Sequence, residues 1–194
     1  GDMKFKLLNA GHTPGSASVL IEADGKRILY TGDFNTEESK LLSGATMDYG
    51  DLDAVIMEST YADSDHTERP LLEKQFLEAC TEVVETGGTV LVPAFGVGRS
   101  QEMACILASN HFEYPIVLDG MAREASRIVM NYKEFLRDPK MFMNAMHSCD
   151  WIEGWRDRRR ALKTPSVIIS TAGMLKGGPA AFYVSKLGKK ANNA

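Results

Sequence analysis

The sequence predicts an α/β fold in two parts: a hairpin-rich sheet in front, then a parallel sheet flanked by helices. Two observations predict it. The pair Asp24-Gly25 sits between two apolar runs and marks a tight two-residue hairpin. After about residue 66, strand-like and helix-like segments alternate. Such alternation calls for crossover helices on both faces of a parallel sheet.

Taken in order, Lys4 to Ala10 and Ser16 to Ala23 are the first expected strands, the second built on Val19-Leu20-Ile21. Arg27 to Thr31 returns from the hairpin, and residues 35–53 are polar and irregular. Ala54-Val55-Ile56-Met57 is wholly apolar and predicts a buried strand ending on Glu58. Leu72, Phe76, Cys80, Val83 and Val84 keep helical spacing until Gly87-Gly88 stops them. Thr89 to Phe95, Pro115 to Leu118 and Ser166 to Ser170 read as strands. Ser100 to Asn110, a segment marked by Ala125, Ile128, Val129 and Tyr132, and Ala180 to Leu187 read as helices. In the harder stretch 137–165, Asn144 to Met146 is expected as a short strand and Trp151 to Leu162 as a helix.

Composition narrows the class. With 44% hydrophobic and 25% charged residues, the 194-residue chain is an ordinary soluble globular protein. A net charge of −4 gives no global support to nucleic-acid binding, so such a role needs a local basic surface. Cys80, Cys105 and Cys149 are odd in number and lack CxxC spacing, which reads as reduced, buried thiols in a cytoplasmic protein. No apolar stretch has membrane-spanning length, and no signal peptide is recognisable.

Three short segments carry chemistry. Gly11-His12-Thr13-Pro14-Gly15-Ser16 holds an imidazole in a turn stiffened by proline. Taken alone, a loop histidine is more often solvated than a metal ligand. Thr31-Gly32-Asp33 places a carboxylate at a strand end, where it can bridge two metal ions or merely cap the turn. Glu58 follows the apolar run; burial there would raise its pKa and suit it to proton traffic, whereas a solvated Glu58 simply leaves the core.

Together, GHTPGSAS, YTGDF and MESTYAD, in that order, resemble a metallo-β-lactamase-fold ribonuclease of the β-CASP group. Gly88 to Leu107 (GTVLVPAFGVGRSQEMACIL), PIVLDGM at 115–121 and SVIISTAGMLKGG at 166–178 resemble later parts of the same cassette. The nearest look-alikes are the archaeal and eukaryotic mRNA 3′-end processing factors. The resemblance implies residues 1–62 as part of a metallo-β-lactamase (αββα) core and 63–194 as most of a β-CASP cassette. It implies His12 as a zinc ligand, Asp33 as a zinc-bridging aspartate and Glu58 as an acid working with a histidine. It also implies two zinc ions and an RNA substrate.

The family's His-x-His-x-Asp-His signature lies upstream of His12, and its two late histidines lie downstream of Ser170–Met174. Neither stretch is in this sequence. His66, His111 and His147 have no matching context. The expectation is a piece of a longer nuclease, with two metal ligands where a catalytic zinc takes three, and no RNA cleavage on its own. A non-catalytic RNA- or partner-binding module is the competing reading. A nucleotide-binding α/β protein is disfavoured by the lack of GxGxxG or Walker spacing.

For RNA, Gly98-Arg99-Ser100 opens a helix after a strand, a setting that attracts phosphate but is equally an ordinary turn. Ser170, Thr171 and Gly173 offer hydroxyls and close backbone approach, and Lys176 adds charge. Arg156 to Arg160 is the densest basic run and reads first as a solvated helix face. An exposed sheet edge in the front part would let two chains pair as a homodimer.

Overall fold

The structure is a computed structural model describing residues 2–194. It divides into two compact units, Gly1–Asp65 with Glu134–Arg137, and His66–Lys133 with Asp138–Ala194.

The first unit is a four-stranded sheet in the order β1-β2-β3-β4, formed by Lys4–Asn9, Ala17–Ala23, Lys26–Tyr30 and Ala54–Ile56. β1, β2 and β3 run antiparallel, and β4 joins β3 in parallel. The hairpin turns at Asp24-Gly25, both at positive φ (50° and 75°), as a tight primed turn demands. Leu8, Leu20 and Leu29 point to one face and form a small core with Tyr49 and Leu52 of the irregular segment. Arg27 pins that segment by donating to the carbonyls of Tyr49 (2.7 Å) and Asp51 (2.9 Å). The register puts Phe5, Ile21, Ile28 and Ala54 in one row of the other face, and Leu7, Val19, Tyr30 and Ile56 in the next. Phe5, Leu7, Tyr30 and Ile56 are exposed. The expectation of a buried strand at Ala54–Met57 is therefore corrected. The strand exists, but it is an edge strand open to solvent on both faces. An apolar run shows that a segment can be buried; only a neighbouring layer buries it.

The second unit is a fully parallel sheet, β5-β8-β6-β7, from Val90–Pro93, Val167–Ser170, Ile116–Asp119 and Cys149–Trp151. Helices α1 (Arg69–Glu85), α2 (Arg99–Ser109), α3 (Met121–Asn131), α4 (Pro139–Ser148), α5 (Trp155–Ala161) and α6 (Gly178–Leu187) complete it. Val117 and Ile168 pack on one face with Ala161, Tyr183 and Leu187. Ile116, Leu118, Val167 and Ile169 fill the other face and are also buried. Each such aliphatic side chain contributes about 2–3 kcal/mol by leaving water.

Residues 144–146 are helical, not a strand. Asp138-Pro139 opens α4, with the Asp138 carboxylate accepting from the Met141 amide at 2.9 Å. An acidic cap followed by proline is a helix start, and Phe142, Ala145 and Met146 then fall on one buried face. The helix expected over 151–162 is shorter, because Trp151 belongs to β7 and Gly154 begins α5.

Candidate functional site

The first unit gathers His12, Asp33 and Glu58. Gly11 makes this possible: at φ +68°, a Cβ there would lie 2.4 Å from the Asn35 carbonyl oxygen. The Asn35 amide also donates to the Ala10 carbonyl (2.9 Å), so the His12 loop is clamped to the chain just beyond Asp33. Ser16 Oγ accepts from the amides of His12 and Thr13, both at 3.1 Å, and braces the loop from inside. The result brings His12 Nε2 to 4.0 Å from Asp33 Oδ2, with side chains 45% and 73% exposed.

Glu58 joins them through its carboxylate. Oε1 accepts from the Phe34 amide (3.3 Å) and Oε2 from the Thr60 amide (3.2 Å). The Thr60 hydroxyl, the Thr60 amide and the Phe34 amide together hold its pKa below the ordinary glutamate value, with a smaller pull from His12. The expected upward shift is thus reversed. β4 is open to water, and donors outweigh desolvation. Glu58 is a carboxylate kept ionised, suited to accepting a hydrogen bond from a neighbour and poorly suited to delivering a proton near neutral pH.

Does the pair fit zinc? Two donors of one tetrahedral zinc stand about 3.4 Å apart, each about 2.0–2.1 Å from the metal. His12 and Asp33 fall near that spacing, and an imidazole with a carboxylate is suitable chemistry. They fit two positions of a shell. Among the described residues, no group of three His, Cys, Asp or Glu side chains is placed to hold a metal ion.

In the second unit, the loops at the carboxyl ends of β5, β6 and β8 lead into α2, α3 and α6. This is the edge where open parallel sheets bind ligands. Several groups expected to meet phosphate are used by the protein itself. Ser100 is buried, and its Oγ (2.6 Å) and amide (3.2 Å) both donate to the Phe95 carbonyl. Thr171 Oγ1 accepts from the Met121 amide (3.1 Å), and its carbonyl accepts from the Ala180 amide (2.8 Å), so one residue stitches the starts of α3 and α6 together. Ser170 is fully buried, and its Oγ reaches the Thr171 carbonyl at 3.4 Å. Gly173 is placed where a Cβ would press within 3.1 Å of the Phe95 nitrogen. Gly98, at φ +77°, precedes α2 with no side-chain cap. Arg99 and Lys176 are exposed and have no ion-pair partner among the described residues.

Beneath these loops lies a polar cluster that single motifs did not reveal. Asp119 is fully buried at the end of β6. Arg158 grips it with two bonds (Nε 2.7 Å, Nη2 3.0 Å), and the Tyr183 hydroxyl donates to Oδ2 at 2.9 Å. The Asp119 carboxylate raises the Arg158 pKa, while burial, chiefly, pushes the Tyr183 phenol far up. One arginine of the basic run is therefore structural. Only the placement of an aspartate after Ile-Val-Leu hinted at a buried acid, and its partners lie 39 and 64 residues away. Gln101 is also buried; its Nε2 donates to the Gly96 and Ala122 carbonyls, both at 3.0 Å, while Oε1 has no partner. Burial pushes the thiols of Cys80 and Cys149 up to about 12, which makes them poor nucleophiles.

Comparison with known proteins bears on this arrangement. Residues 100–194 match the Beta-Casp domain. The chain is 45% identical over 193 residues to RNase aCSPSF2 of Saccharolobus solfataricus, spanning 99% of this chain and 39% of that protein. It is 38% identical over 200 residues to Probable RNase MJ4 of Methanocaldococcus jannaschii, spanning 100% of this chain and 47% of that protein. It is 36% identical over 211 residues to transcription termination factor FttA of the same organism, spanning 99% of this chain and 33% of that protein. The chain thus spans less than half the length of these relatives. The parallel sheet and its flanking helices agree with the match, and residues 100–194 are a Beta-Casp domain.

Proposed function

We propose that this chain carries the substrate-gripping domain and part of the metal centre of a zinc-dependent RNA phosphodiester hydrolase of RNA 3′-end processing or decay. The observation that carries the reading is the convergence of His12, Asp33 and Glu58 in a chain whose relatives include named RNases. His12 Nε2 and the Asp33 carboxylate would hold zinc, and Asp33 has a second oxygen with which to bridge two ions. Zinc, when bound, supplies an acidified water and a Lewis acid for phosphate oxygens. Glu58 stays ionised beside the pair and orients a basic partner through an accepted hydrogen bond.

On the second unit, Arg99, Lys176 and the backbone around Gly98 and Gly173 face the RNA. Ser100, Ser170 and Thr171 hold that frame from behind. Two metal donors are one short of a catalytic zinc shell, so in this reading the 194-residue chain alone binds RNA without cleaving it. The buried cysteines Cys80, Cys105 and Cys149 agree with a reducing, cytoplasmic setting. No helix among the described residues is long and apolar enough to cross a membrane. The free edge of β4 would allow a homodimer by strand pairing.

The test joins calorimetric titration of zinc with a gel assay on single-stranded RNA. Expected are weak zinc binding lost in His12→Ala and Asp33→Ala, RNA binding that falls steeply with salt, and no cleavage. Zinc binding unaffected by both substitutions sinks the metal assignment. Zinc-dependent cleavage by this chain sinks the claim of inactivity.

A further inference from the structure

We propose that Phe95 is a stacking platform for one base of single-stranded RNA, with the adjacent phosphate taken by Arg99; this rests on the RNA reading above. Phe95 is 60% exposed, an unusual state for phenylalanine on an ordered loop. Its backbone is anchored all the same. The Phe95 carbonyl takes both donors of Ser100, and the preceding Ala94 amide donates to the Ser170 carbonyl at 3.0 Å. The ring is held out into water by a stiff base.

Its flanks are defined by two close approaches. Gly173 abuts the Phe95 nitrogen, and the residue after it, Met174, is exposed. Gly96 lies against Met121, also exposed, with 3.4 Å between a built Cβ and the Met121 Cβ. Phe95, Met121 and Met174 are thus exposed apolar side chains at or next to these close approaches, and thioethers adapt readily to a flat partner. Arg99 opens α2 four residues after Phe95, and Lys176 follows Met174 by two; both are exposed cations with no ion-pair partner among the described residues. A flat apolar surface beside unneutralised positive charge is complementary to a nucleotide, which offers a planar base and an anionic phosphate. Stacking on aromatic side chains with electrostatic backbone contact is how unpaired strands are held without sequence readout. A duplex hides its base faces and would not use the ring.

The experiment uses fluorescein-labelled oligouridine and the same strand with abasic sites, each titrated with the full chain and followed by anisotropy. Phe95→Ala is expected to weaken binding of the intact strand by about tenfold. Phe95→Trp should hold or improve it, with melting temperature unchanged in both. On the abasic strand, wild type and Phe95→Ala should bind alike. Arg99→Ala should weaken both strands equally and lower the salt slope by about one. Intact-strand binding insensitive to Phe95, or an equal loss on the abasic strand, overturns the stacking role alone. Unchanged RNA affinity with an altered oligomeric state makes the patch a protein contact and overturns it too. A wild-type chain that binds neither strand removes the RNA reading and this inference with it.

Discussion

Two apolar strands of similar character end up in opposite surroundings. Val167–Ser170 lies inside the parallel sheet of the second unit, flanked by β5 and β6 and covered on both faces. Ala54–Ile56 lies at the rim of the first unit's sheet, with Ile56 57% exposed. Their sequences, VIIS and AVI, give little ground for the difference. The second unit brings its own layers, because six helices accompany its four strands. The first unit brings one: an irregular segment that covers the Leu8-Leu20-Leu29 face and leaves the other apolar face bare. Hydrophobicity of a strand states a requirement, and the connecting chain decides whether it is met.

The largest effect is expected at the polar cluster that the second unit buries and the first has no counterpart for. Asp119→Ala leaves Arg158 and Tyr183 without their acceptor, and the second unit should lose about 3–5 kcal/mol in urea unfolding. A loss under 1 kcal/mol would mean that solvent reaches the cluster. Next comes the direct contrast between the strands. Ile168→Ala should cost about 2–5 kcal/mol, whereas Ile56→Ala should change stability by no more than about 0.5 kcal/mol. Equal costs would show that something covers the first unit's open face in solution, and light scattering would say whether it is a second copy.

A smaller effect belongs to the stitch between helices. Thr171→Val keeps the shape but leaves the Met121 amide without its acceptor, for a cost of about 1–2 kcal/mol; Thr171→Ser should restore most of it. The smallest lies at Glu58. Its folded pKa is below the ordinary value, so the stability it contributes is present above the usual carboxylate range and is lost as pH falls through that lowered pKa. Glu58→Gln should therefore be less stable than wild type at neutral pH, with the two melting curves converging in acid. A constant gap across pH would show that charge has no part in it.

Periodicity made most strands and helices legible, with most boundaries moving by a residue or two, although the helix expected over 151–162 begins only at Trp155. The misreading at 144–146 came from weighing three residues without the Asp138-Pro139 start before them. The candidate site was legible where it lies in short contiguous motifs. His12, Asp33 and Glu58 could be named from sequence, and the structure brings them together. What the sequence hid was the allocation of hydrogen bonds. Ser100 and Thr171 have the right chemistry for phosphate, yet partners five and fifty residues away claim them. Asp119, Arg158 and Tyr183 were invisible as a set because only the folded sheet makes them neighbours.

The bare face of the first unit has a practical consequence for handling the protein. Phe5, Leu7, Tyr30 and Ile56 give water a continuous apolar surface. Sulfate and phosphate salts strengthen association of such surfaces, while added salt of any kind loosens a protein from a phosphate backbone. Solubility and the proposed RNA grip therefore ask for one buffer, dilute in salt, and salting-out would separate the chain from nucleic acid at the moment it drives the chains onto one another.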